Sequence, residues 1–80
     1  MKEIINKPWN YKLLENNKKY YLSVMCGSVA LFEINIELNN DELLMYHELG
    51  NSYIDSLVQK IQFNSSLYLD RNISNLDNVL

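Results

Sequence analysis

The sequence has one cysteine, one histidine, one proline and two glycines, and each scarcity disfavours a class of protein. A single cysteine forms no internal disulfide, and one Cys with one His cannot complete a zinc site of Cys and His ligands. Gly27 and Gly50 are too few for a glycine-rich phosphate loop. Cys26-Gly27-Ser28 lacks the glycine on both sides that a nucleophile elbow needs. Basic residues are also short: seven Lys and Arg stand against ten Asp and Glu, for a net charge of −3. A general nucleic-acid binder needs a basic face, so none is expected here. Long apolar runs are missing as well. Near the start only Ile4 and Ile5 adjoin, well short of a signal-peptide core, and nothing approaches the roughly 18 apolar residues of a membrane span. The expectation is a cytoplasmic protein, in which Cys26 stays a reduced thiol.

What is present is an ordinary globular composition, 48% hydrophobic and 21% charged over 80 residues. That predicts a single domain spanning 1–80, with one modest core and no metal or cofactor to reinforce it. Charge is uneven. Residues 1–40 hold five Lys and four Glu, for +1, whereas residues 41–80 hold Lys60 and Arg71 against six acids, for −4. A charge-driven contact of the second half therefore favours a basic partner.

The first half of the chain alternates with period two. Trp9, Tyr11 and Leu13 mark one face of a strand over about 9–15, and Tyr20, Leu22, Val24 and Cys26 mark a second over about 19–26. Asn tolerates positive φ, so a two-residue turn at Asn16-Asn17 is expected. It pairs Leu13 with Tyr20, Tyr11 with Leu22 and Trp9 with Val24, bringing the large side chains to one face. A third strand over about 28–38 sets Phe32, Ile34, Ile36 and Leu38 against Glu33, Asn35 and Glu37. A three-residue loop, Met25-Cys26-Gly27 with Gly27 left-handed, then pairs Val24 with Ser28, Leu22 with Ala30 and Tyr20 with Phe32.

Asn39-Asn40-Asp41-Glu42 supplies a cap and two first-turn acids. Leu43, Tyr46, Gly50, Tyr53, Leu57 and Ile61 then form a stripe at helical spacing, predicting one helix over about 41–62. The rival is two helices broken at Gly50-Asn51-Ser52, with Ser52 capping the second. Residues 63–80 read as an irregular tail, with Leu67, Leu69 and Ile73 in a short strand or helical turn and Asn75 to Leu80 fraying. The expected fold is α+β: a three-stranded antiparallel meander with one long helix packed on one face, in two layers.

No residues recommend themselves as catalytic. Cys26 and His47 are the only thiol–base pair, and a structural cysteine with a surface histidine explains them better. Glu33 and Glu37 lie about 13 Å apart along a strand, beyond the roughly 5–9 Å of a catalytic carboxyl pair. Asp41, Glu42, Glu48 and Asp55 are spaced as an exposed helix face. Among the aromatics, Trp9, Tyr11, Tyr20, Tyr46 and Tyr53 fall on core stripes. Tyr21 does not: it shares the polar sheet face with Lys12 and the row of Glu33, Asn35 and Glu37. A tyrosine among acids on a sheet face suits a protein partner, although a plain wet face is the simpler account.

Pro8-Trp9, the run Tyr20-Tyr21-Leu22-Ser23-Val24-Met25-Cys26-Gly27-Ser28-Val29, then Phe32-Glu33-Ile34, Leu38, Gly50 and Ile61 carry a family likeness. The pattern, over roughly residues 2–62, resembles small bacterial cytosolic proteins. Some of these are similar to immunity proteins of polymorphic toxin systems of the contact-dependent or Rhs type. The resemblance implies a non-enzymatic protein that neutralises a cognate toxin, itself expected to be basic, by direct binding. No catalytic residue is carried over with it. The expected contact residues are Tyr21, Glu33, Asn35 and Glu37 as one patch, with Glu48 and Asp55 as a second. The rivals are a phage-type inhibitor of a host nuclease and a self-associating module. The latter would be a homodimer paired through an edge strand at Trp9 to Leu14 or Val29 to Leu38.

Overall fold

The computed structural model describes residues 2–27 and 31–73. Four antiparallel strands, β1 (Lys2–Lys7), β2 (Tyr11–Asn16), β3 (Lys19–Cys26) and β4 (Phe32–Glu37), form one sheet in sequence order. Helices α1 (Asn40–Leu49), α2 (Asn51–Phe63) and α3 (Ser65–Tyr68) follow, then a 3-10 turn at Leu69–Arg71. The fold is α+β, as expected, with one more strand and a more divided helical layer.

The added strand is β1. Its register slips between Glu3 and Ile5, so Ile4 and Ile5 both pack against the core although adjacent in sequence. A bulge of this kind breaks the period-two pattern, which is why alternation did not reveal the strand. β1 and β2 are joined by a tight turn in which the Asn10 amide donates to the Lys7 carbonyl at 3.0 Å. Trp9 therefore starts no strand. It sits in the turn at φ 66° and is 84% exposed, which corrects its expected core position and its pairing with Val24.

The β2–β3 turn is Asn17-Lys18, with φ of 53° and 67°, one residue beyond the expected Asn16-Asn17. Leu13 faces Leu22 and Tyr11 faces Val24, so partners shift by two residues and every side chain keeps its face. Between β3 and β4 the shift is six: Leu22 faces Ile36, Val24 faces Ile34 and Cys26 faces Phe32. β3 runs on through Met25 and Cys26, which were expected to turn. Gly27 follows with φ 97°. The expected partners Ser28 and Ala30 lie outside the described residues.

Residues Tyr11, Leu13, Leu22, Val24, Cys26, Ile34, Ile36 and Leu38 meet Ile54, Leu57, Val58 and Ile61 of α2 in the core. Of the helices, α2 supplies the buried members of this core. α1 leans on the sheet through Leu43 and Tyr46, the latter edge-on to Tyr20 at 5.8 Å between ring centroids. Its other side leaves Leu44, Met45 and Leu49 exposed.

The expected single helix is broken at Gly50, at φ 68° and ψ −144°. This conformation is nearly glycine-only. The break gives α1 (Asn40–Leu49) and α2 (Asn51–Phe63) as separate helices, as the rival reading had them. The cap of α1 is the one read from the sequence. Asn39 Oδ1 accepts from the Glu42 amide and Glu42 Oε1 accepts from the Asn39 amide, each at 2.9 Å, completing a capping box. Ser52 does not cap α2. Its hydroxyl donates back to the Leu49 carbonyl at 2.9 Å.

The segment after α2 is tied down. Arg71 donates to both Glu42 carboxylate oxygens, at 2.6 and 3.0 Å, and to the Glu37 carbonyl at 2.9 Å. Glu42 is thus buried, contrary to its expected place on an exposed helix face. The Ile73 amide donates to the Asn35 carbonyl at 2.7 Å, and the Asn35 amide to Asn72 Oδ1 at 2.8 Å. These bonds occupy part of the outer edge of β4. Of the expected tail features, Leu67 and Leu69 lie in helical turns and remain exposed. The expected fraying of Asn75 to Leu80 lies outside the described residues.

Candidate functional site

The sheet face turned away from the core carries the residues expected to bind a partner. Tyr21 is paired with Leu14 on one side and Glu37 on the other, Ser23 is paired with Asn35, and Met25 with Glu33. The structure therefore brings Tyr21, Glu33, Asn35 and Glu37 onto one face, as the alternation required. Their exposures divide them. Glu33 and Glu37 are exposed, whereas Tyr21 is 2% and Asn35 7% exposed. Buried side chains offer a partner little area, so Tyr21 and Asn35 support the face from beneath. Asn35 Nδ2 lies 3.4 Å from the Ile73 carbonyl, while its buried Oδ1 has no partner among the described residues.

The carboxylates of Glu33, Glu37 and Glu48 make no ion pair or hydrogen bond among the described residues. Asp55 does. Its Oδ1 accepts from the Tyr11 hydroxyl at 2.6 Å and lies 3.6 Å from Lys7 Nζ. The Tyr11 hydrogen bond, chiefly, and the Lys7 charge hold the Asp55 carboxyl below its usual pKa. Burial, then the same hydrogen bond and the Asp55 charge, push Tyr11 up to about 12. Lys7 also lies 5.4 Å from the Tyr11 ring centroid. Asp55 thus anchors α2 to β1 and β2, a role the helical spacing did not reveal. Glu48 lies on α1 and Asp55 on α2, either side of the Gly50 break, so the expected second patch is divided.

Cys26 is buried; burial raises its pKa, and the thiol lies 3.8 Å from the Val24 carbonyl. His47 is on α1 beside the Tyr46 ring, 5.9 Å between centroids. Among the described residues no three His, Cys, Asp or Glu side chains gather as metal ligands, and no helix is long and apolar enough to cross a membrane.

At one end of the domain the β1–β2 turn, the end of β3 and the end of α2 meet. Gln62 joins them, its Nε2 donating to Asn10 Oδ1 at 3.0 Å and to the Met25 carbonyl at 3.1 Å. Trp9, which precedes Asn10, is 84% exposed; Phe63, which follows Gln62, is 90% exposed; and Phe32, paired with Cys26, is 44% exposed. Sequence reasoning placed Trp9 and Phe32 in the core and gave Phe63 no role. The available signal was Lys7-Pro8-Trp9-Asn10, since proline followed two residues later by asparagine marks a turn.

No family model, curated protein or solved structure matches the chain.

Proposed function

We propose that this chain is a non-enzymatic protein-binding module, acting in the cytoplasm as an immunity protein that neutralises a cognate toxin by direct contact. The observation that supports the reading is the exposure of Trp9, Phe32 and Phe63, each within a residue or two of the segments that Gln62 ties together. Aromatic anchors of this kind dominate protein interfaces, and folding gives no reason to leave three of them in water. Glu33, paired with Met25, lines the same cleft as Trp9 and continues into the face that bears Glu37. Unpartnered carboxylates there would speed encounter with a basic toxin, while the aromatics supply affinity.

Self-association through an edge strand is the second reading. The edges expected to be open have changed, because β1 covers β2 and Asn72 and Ile73 bond to β4 at Asn35. Among the described residues the outer edge of β1 pairs with no strand, and it would receive the second copy. A phage-type nuclease inhibitor would use the same surface as an immunity protein and differs only in its target.

The test combines affinity capture with toxicity rescue. Wild-type protein should retain one basic protein that is toxic when expressed alone, and co-expression should abolish that toxicity. Trp9→Ala with Phe63→Ala should lose both capture and rescue while remaining folded. Glu33→Lys with Glu37→Lys should slow association. Full capture and rescue by the double aromatic variant would overturn the assignment of this surface.

A further inference from the structure

Beside Trp9 is a shallow cleft with about 40 Å³ of internal space, walled by Trp9, Met25, Ser23, Lys12 and Glu33. Four of these side chains belong to the sheet face turned away from the core, and the indole closes the cleft at its corner. Trp9 occupies the third position of a turn whose second residue is Pro8, at φ 66°. That position ordinarily takes glycine or asparagine, because other side chains are strained there. A tryptophan that is both strained and 84% exposed gains little from folding. Strain retained without packing benefit points to use of the side chain in binding.

We infer that this cleft receives an arginine side chain of the protein partner, its guanidinium stacked on Trp9 and paired with Glu33. The inference rests on the binding-module reading and names the partner chemistry at its surface. The indole face attracts cations, more strongly than other aromatic rings do. The Glu33 carboxylate has no partner among the described residues and is free to accept two parallel N–H donors. A planar guanidinium stacks and forks at once, which a lysine ammonium cannot do. The space suits one small head group and falls far below the roughly 300–1,000 Å³ of a small-molecule site. Lys7, also at the rim, is engaged by Asp55 and the Tyr11 ring. Lys12 is exposed on β2, across Ser23 from the Glu33 side, and sets the approach: the cation must enter from the Glu33 side.

Trp9 is the sole tryptophan, so its fluorescence reports the cleft directly. The probe is a blocked tripeptide with central arginine, compared with the same peptide carrying uncharged citrulline. The arginine peptide should change Trp9 emission saturably, with a dissociation constant of about a millimolar. Affinity should fall about three- to fivefold in Glu33→Gln and rise by about twofold in Lys12→Ala. Circular dichroism verifies that both variants fold. Equal responses to arginine and citrulline peptides, or an unchanged affinity in Glu33→Gln, would overturn the arginine assignment. If capture of a protein partner requires Trp9 but the peptide does not bind, the arginine assignment falls and the module reading stands. If the peptide binds as described but capture and rescue ignore Trp9 and Phe63, the cleft stands and the module reading falls.

Discussion

Replacing Trp9 with asparagine separates an aromatic kept for binding from one kept for folding. Only about a sixth of Trp9 is shielded from solvent, given its 84% exposure. A fully buried tryptophan removes up to about 250 Å² from water, so roughly 40 Å² is at stake, worth about 1 kcal/mol. Against that loss stands the left-handed backbone, where asparagine is easier to hold than tryptophan by about 1 kcal/mol. The two effects nearly cancel, and Trp9→Asn should leave unfolding free energy within about 1 kcal/mol of wild type. A core tryptophan, as the strand pattern implied, would cost about 3–5 kcal/mol on truncation. The assay is urea unfolding followed by circular dichroism, because the variant has no indole to report. At this chain length 1 kcal/mol shifts the thermal midpoint by about 4–8 °C, giving a second readout. A loss of 3 kcal/mol or more would refute the argument, since Trp9 would then be packed in solution.

Three further outcomes test the framework around the site. Gly50→Ala should destabilise by about 1–3 kcal/mol in chemical unfolding although nothing lies within 4 Å of the added methyl, because the strain is in the backbone; a continuous helix would instead be stabilised by about 1 kcal/mol. Arg71→Ala should cost about 2–3 kcal/mol in the same assay, since Glu42 keeps only its capping bond in a site where its side chain is 10% exposed. Alkaline titration should show Tyr11 among the late tyrosines, with Tyr20 and Tyr53 also raised by burial: with Tyr11 raised from 10.0 to about 12, its contribution to stability is complete below pH 10.0 and disappears as pH rises towards about 12. Tyr11→Phe should remove one tyrosinate from the late part of the absorbance titration and lessen the loss of stability across the window. Asp55 has the opposite sign, its carboxyl being depressed, so its contribution is lost as pH falls below the ordinary carboxylate range.

Period-two alternation by itself determined which side chains of β2, β3 and β4 share a face, because a pleated strand permits only two. It could not fix the register: shifts of two and six residues preserve every face, and the choice among them belongs to the packing of Leu13, Leu22, Val24, Ile34 and Ile36 against α2. The Asn39–Glu42 cap was likewise legible, since its partners lie three residues apart. Features that depend on distant segments were not. β1 is hidden by its bulge, and the break at Gly50 was legible only as the rival to one helix, because the apolar stripe runs on through it. Glu42 and Asp55 look like surface acids until Arg71, Tyr11 and Lys7 arrive from elsewhere in the chain. The candidate site divides in the same way. Alternation put Tyr21, Glu33, Asn35 and Glu37 on one face, but only the tertiary structure left the two glutamates open and buried the other two. The aromatic end around Gln62 is wholly tertiary, because three segments distant in sequence meet there, and exposure belongs to the assembled surface.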